Sequence, residues 1–191
     1  DELGAKNNAF TSNEVTSFYA HVLPERLDGA VELLSRMMRP ALREEDFATE
    51  KGVILEEIAM YRDQPFWVLF EAAMAAHYGE HPLGHRVLGT PETVGAMTRE
   101  QMRGYFEGRD SADNTVLALA GRLDFPRVVE RAGALCAAWG RTGATRDGAR
   151  PPVPGGDLTL RDAKVTRGYF LAPAPGPGVA DDRRYAAALL S

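Results

Sequence analysis

Proline placement sets the helix lengths open to this chain. A proline inside a helix removes a backbone donor and clashes with the preceding turn, so helices tend to start at one or stop before it. Pro24 opens a helix expected to run to about Met38, with Leu27, Val31, Leu34 and Met38 on one stripe, and Pro40 ends it. A long helix follows from about Arg43 to Tyr61. After the break at Asp63-Gln64-Pro65, a further helix reaches about Tyr78. Before Pro24, "NNAFTS" and "EVTSFYAHVL" read as two strands joined by the polar turn Ser12-Asn13. Phe18, Ala20 and Val22 alternate there with Ser17, Tyr19 and His21.

Residues 79–97 are loop-rich, with Gly79, Pro82, Gly84, Gly89 and Pro91. Thr98 with Gln101 forms a capping-box pattern that opens a helix to about Gly108. "NTVLALAGRL" reads as a strand and residues 125–139 as a helix; "DLTL" and "TRGYFLA" are two more expected strands. Mixed strands and helices in this order predict an α+β fold, with helices packed on a mainly antiparallel sheet. The expected organisation is a partial first half over 1–139, a Gly/Pro-rich linker over 140–156, and the beginning of a following α+β half over 157–191. The chain opens "DELGAKN", at the tail of a helix closed by Gly4, and stops at "DDRRYAAALLS" part-way through a helical pattern, so a fragment is expected.

With 191 residues, 45% apolar and 26% charged, the chain is globular material long enough to bury a core. A net charge of −5 and no basic stripe argue against a nucleic-acid partner, and no apolar run reaches membrane-spanning length. The single cysteine, Cys136, excludes an internal disulfide and a thiolate zinc cluster; its neighbours Leu135, Ala137 and Ala138 mark an inert helix position.

"HYGEHPLGH" spells H-x-x-E-H through His77, Glu80 and His81, with His85 beyond. That motif binds zinc because both histidines share one face of a continuous helix and the glutamate aims at the metal-bound water. Gly79 interrupts the run, and Pro82 pushes His81 away from the α region. The spelling therefore predicts polar loop histidines at a helix end. A metal-binding α+β module using these histidines adventitiously is the weakest of the functional readings.

The helix over 43–61 is more informative. With Phe47 at zero and about 100° per residue, Phe47, Ile54, Ile58 and Tyr61 share an apolar arc. Glu50 falls near about 300° and Glu57 near about 280°, inside that arc, whereas Glu56 lies near about 180° on the opposite side. Acids on an apolar face need a partner. Either Glu50 and Glu57 enter a buried salt bridge or a helix cap, or they are a functional carboxylate pair.

The ordered series "GAKNNAFTSNEVTSFYAHV", "ALREEDFATEKGVILEEIAMYRDQP", "HYGEHPLGHRVLGT", "MTREQMRGYFEGRDSADNTVLALAGRLD" and "AAWG" resembles the pitrilysin/insulinase family of zinc metallopeptidases, the inverted zincins, which share their domain type with the mitochondrial processing peptidase. The resemblance covers roughly 1–140 well and 157–191 in outline. It implies Zn2+ held by two histidines of an H-x-x-E-H helix upstream of this chain, a base glutamate on that helix, and a third ligand on a later helix. Aligned on "EKGVILEE", that ligand is Glu57, with Glu50 as the supporting acid. The resemblance further implies that the strand carrying "NAFTS" pairs with the substrate backbone, which assigns Asn8, Ala9 and Phe10 to substrate binding; an ordinary edge strand would look the same. The implied function is a zinc endopeptidase that hydrolyses peptides or unfolded polypeptides through a metal-activated water. The implied partner is a second homologous domain or subunit that closes a chamber, and the fragment alone is expected to be inactive. The alternative is a non-catalytic partner or structural subunit of the same fold.

Overall fold

The computed structural model describes residues 3–145, 148, 151 and 156–190. Of the linker over 140–156, residues 146, 147, 149, 150 and 152–155 lie outside the described residues, as do Asp1, Glu2 and Ser191. The fold is α+β. Strands β1 (Lys6–Thr11) and β2 (Thr16–His21) form an antiparallel hairpin in the register Lys6↔His21 to Thr11↔Thr16. Ser12 closes its turn, its amide donating to the Val15 carbonyl at 2.8 Å. Seven α-helices follow among the described residues: α1 (Leu27–Met37), α2 (Glu44–Arg62), α3 (Pro65–Tyr78), α4 (Pro91–Ala96), α5 (Arg99–Arg109), α6 (Phe125–Cys136) and α7 (Arg183–Leu190).

The chain divides into two units, Asp1–Glu56 with Thr90–Gly148 and Glu57–Gly89 with Ala149–Ser191; helix α2 runs unbroken from one into the other. In the first, α1 packs on α6 through buried Ala30, Val31 and Val128. Ion pairs border this contact, Arg131 with Glu32 at 2.7 Å and Arg127 with Asp28. They lie at the surface, where such pairs contribute about 0–1 kcal/mol each, so the apolar contact carries more of the stability. In the second unit, Ile58, Ala73 and Gly84 are buried, and Trp67 meets Tyr61 and Phe70 edge-on at 5.6 and 5.7 Å.

The helix expected to open at Pro24 begins instead at Leu27, after a 3-10 turn over Pro24–Arg26, whereas the starts expected for α3 and α5 hold for chemical reasons. Thr98 and Gln101 cap α5 reciprocally: the Thr98 amide donates to Gln101 Oε1 at 2.8 Å and the Gln101 amide to Thr98 Oγ1 at 3.2 Å. Pro65 opens α3, and Gly79 ends it at φ 56, a left-handed angle that glycine takes without a steric penalty. Helix α4 stands where the sequence pattern predicts loop. Its six residues are too few for periodicity, but Thr90 and Thr93 cap it reciprocally and Pro91 sits in its first turn.

Three expected strands do not form. Residues 114–123, 157–160 and 166–172 carry no ladder among the described residues. A strand exists only where a neighbour takes its backbone hydrogen bonds, and alternation alone supplies none.

A polar clasp fixes the segment after α6. Ser111, only 2% exposed, donates through Oγ to Asp113 Oδ1 at 2.7 Å, while the Thr142 and Gly143 amides donate to Asp113 Oδ1 and Oδ2 at 3.2 and 2.9 Å. Led by the Ser111 hydroxyl, these donors hold the Asp113 carboxyl down from 3.8 to about 2. Because the folded value lies below the unfolded one, the clasp contributes fully above 3.8 and is lost as pH falls through about 2. Amide exchange should therefore show Thr142 and Gly143 protected at pH 5 and exposed by about pH 2, and Asp113→Asn should abolish that pH dependence.

Gly84 gives a second test. A Cβ there would lie 2.9 Å from the Gly79 carbonyl oxygen and 3.1 Å from Tyr78 Cβ. Backbone cannot give way cheaply, so Gly84→Ala should destabilise by about 1–3 kcal/mol, read as a lower urea midpoint.

Candidate functional site

Helix α2 positions the two candidate acids. Phe47, Lys51, Ile54, Ile58 and Tyr61 form its recessed stripe, with Ile58 buried. Glu50, Val53, Glu57 and Met60 line an adjacent face at helical spacing. Glu50 is exposed and Glu57 half-buried, while Val53 and Met60 are 50% and 53% exposed. The wheel places both acids inside the apolar arc; the structure leaves Glu50 exposed, where solvation removes much of the cost of burying charge, and Glu57 half-buried like Phe47, Ile54 and Tyr61. Glu56 is exposed on the far side. Among the described residues neither Glu50 nor Glu57 has a hydrogen bond or ion pair. The salt-bridge or cap alternative finds no partner there.

The start of α2 is tied down by long-range contacts. Leu42 adopts φ 47, the left-handed region that disfavours a branched side chain, and its carbonyl accepts a hydrogen bond from Arg99 Nε. Arg99 also approaches Glu44 at 3.8 Å. Lys51 Nζ donates to the carbonyls of Gly95 at 2.5 Å and Met97 at 3.0 Å, and lies 6.0 Å from the Phe47 ring centroid. Sequence reasoning missed Lys51: its partners are 44 and 46 residues away, beyond any local pattern.

Asn8, Ala9 and Phe10 lie in β1, all exposed, with Phe10 at 53%. Strand β1 has β2 on one side and no strand on its other edge among the described residues. The Ala9 amide donates to Asn8 Oδ1 at 2.8 Å, so one donor of the strand is satisfied by its own neighbour.

The histidines of "HYGEHPLGH" do not make a metal centre. His77 lies in the last turn of α3 against the Tyr78 ring at 4.9 Å. His81 is extended, at φ −70 and ψ 142, and its Nδ1 accepts the Leu83 amide at 3.2 Å, so it caps the short 3-10 turn Pro82–Gly84. Glu80 and His85 are exposed. Among the described residues no group of three or more His, Cys, Asp or Glu could hold a metal ion. A tetrahedral zinc site needs three protein ligands. A carboxylate oxygen on α2 has the chemistry of a single zinc ligand. Cys136, at the end of α6, is half-buried. No helix among the described residues is long and apolar enough to cross a membrane.

Residues 1–91 match the family model described as insulinase (peptidase family M16). An uncharacterized zinc protease of Streptomyces coelicolor is 34% identical over the whole of this chain, and one of Mycobacterium leprae 36% identical over the whole of it. The chain spans 43% and 44% of the length of these relatives. Among solved structures, an M16-like peptidase from Alicyclobacillus acidocaldarius aligns with a TM-score of 0.65 at 27% identity, over 80% of this chain and 34% of that one. An inactive M16 domain from Pseudomonas fluorescens shares the fold, with a TM-score of 0.69 at 20% identity over 79% of this chain and 37% of that one. The chain belongs to the insulinase family of peptidases, peptidase family M16.

Proposed function

We propose that this chain is part of a zinc-dependent endopeptidase in which helix α2 supplies Glu57 as one zinc ligand and Glu50 as a supporting acid. The observation that carries the proposal is the open α2 face: two carboxylates without partners among the described residues, interleaved with exposed Val53 and Met60. Unpaired acids set among apolar side chains fit a surface built to be covered and to bind a cation. The naming of relatives from Streptomyces and Mycobacterium as zinc proteases supports zinc as that cation.

In this reading the two histidine ligands and the base glutamate belong to an H-x-x-E-H helix outside these residues. Zinc, when bound, would acidify a water for attack on a peptide carbonyl. The chain's own contributions are more limited. Glu57 offers a carboxylate oxygen on a half-buried part of the helix surface, and Glu50, two turns earlier, adds an exposed second carboxylate. Strand β1 offers Asn8, Ala9 and Phe10 as an edge on which a substrate backbone adds as a strand, after displacing the local bond between Ala9 and Asn8. Residues 1–139 would then form the first half, 140–156 the linker and 157–191 the start of the next. A second homologous domain or subunit would close a chamber over peptide or unfolded substrate, a role supported by the greater length of the relatives.

Zinc stoichiometry of the full-length protein tests this reading. Glu57→Gln should lose zinc and peptidase activity by about tenfold or more, and His81→Ala should keep both. The reverse pattern would move the metal to the loop and remove α2 from the site. A full-length protein that binds no zinc and cleaves no peptide would favour a non-catalytic subunit.

A further inference from the structure

The geometry points to Lys51 as a positioning residue that sets the roll of helix α2 and so the direction in which its acids face. This inference rests on the zinc-ligand reading above and deepens it. Lys51 follows Glu50 directly, yet its ammonium serves a different surface. It reaches two carbonyls, Gly95 at 2.5 Å and Met97 at 3.0 Å, at the joint where α4 ends and α5 begins. Carbonyls at a helix C-terminus carry the negative end of the helix dipole, so a cation is the favoured partner there. The joint is itself well defined. The Met97 amide donates back to the Thr93 and Val94 carbonyls, and Thr98 caps the helix that follows.

A single contact on a helix leaves it free to turn about its own axis. Helix α2 has two on one flank: Arg99 at Glu44, beside its bond to the Leu42 carbonyl just ahead of the helix, and the Lys51 bonds two turns after Glu44. Together they fix both axial position and roll. On the wheel Glu50 and Glu57 lie about 100° and 120° from Lys51, to the same side. With the ammonium anchored, both carboxylates are held on the open face. With it released, an α2 bearing a single buried side chain, Ile58, has little packing to keep that orientation. A ligand carboxylate that must meet a metal within a few tenths of an ångström is sensitive to such rotation.

The test uses the full-length protein. Zinc affinity of the metal-stripped protein is measured by competition with a chromophoric chelator, alongside kcat, KM and Tm. Lys51→Met should weaken zinc binding about 10–100-fold and lower kcat in proportion while KM moves less than about twofold; Lys51→Arg should recover most of both. Val128→Ala, which opens the α1–α6 contact away from these residues, serves as a stability control: it should lower Tm and leave zinc affinity unchanged. If Lys51→Met does not fold, Lys51→Gln, which keeps a donor and loses the charge, should fall between parent and Met-like behaviour. Zinc affinity and kcat within about twofold of the parent in Lys51→Met, or in Lys51→Gln where that variant stands in, would overturn the positioning role, as would an equal zinc loss in Val128→Ala. Glu57→Gln measured in parallel separates the two ideas. Zinc retained there overturns the ligand assignment itself; zinc lost there but retained in Lys51→Met overturns only the role of Lys51.

Discussion

Helix α2 is held in place less by apolar packing than by cationic side chains that reach main-chain carbonyls. It buries a single residue, Ile58, along its whole length. Arg99 takes the Leu42 carbonyl just ahead of it, and Lys51 takes two carbonyls at the end of α4. Hydrogen bonds from charged donors are about twice as strong as neutral ones and are directional. They suit a helix whose other side must stay open. A fully buried α2 would be steadier but could not present acids to anything.

The candidate site follows from that arrangement. The same helix carries a recessed apolar stripe and, one step round, a face of alternating acid and apolar residues. Glu57 and Glu56 are neighbours in sequence and point about 100° apart, so position on the helix distinguishes a half-buried ligand candidate from an exposed acid. The loop histidines make the converse point. Their letters match a zinc motif, but Gly79 and the extended backbone of His81 turn the imidazole to capping a short turn.

What was legible in the sequence is local. Proline and glycine punctuation located α1, α3 and the end of the H-x-x-E-H look-alike, and the Thr98–Gln101 pair located the start of α5 to the residue. These features act through bonds only a few residues long. Contacts that depend on distant chain were not legible. The segments at 114–123, 157–160 and 166–172 read as strands but have no partner among the described residues, and Lys51 earns its place through residues more than forty positions away. Helix α4 was missed although its capping is local: the glycines and prolines around Thr90 and Thr93 read as loop. The family resemblance supplied what no local rule could, the ordering of motifs along the chain.

The unpaired segment at 116–120 has a consequence for the chain's behaviour in solution. Val116 is 89% exposed and Leu117 47%, and no strand pairs with this segment among the described residues. An exposed apolar stretch with unclaimed amides and carbonyls is a template for another backbone. Two molecules that meet there can satisfy each other's hydrogen bonds without either of them unfolding. Charge placed on that segment would oppose such edge-to-edge association by the repulsion that natural edge strands use.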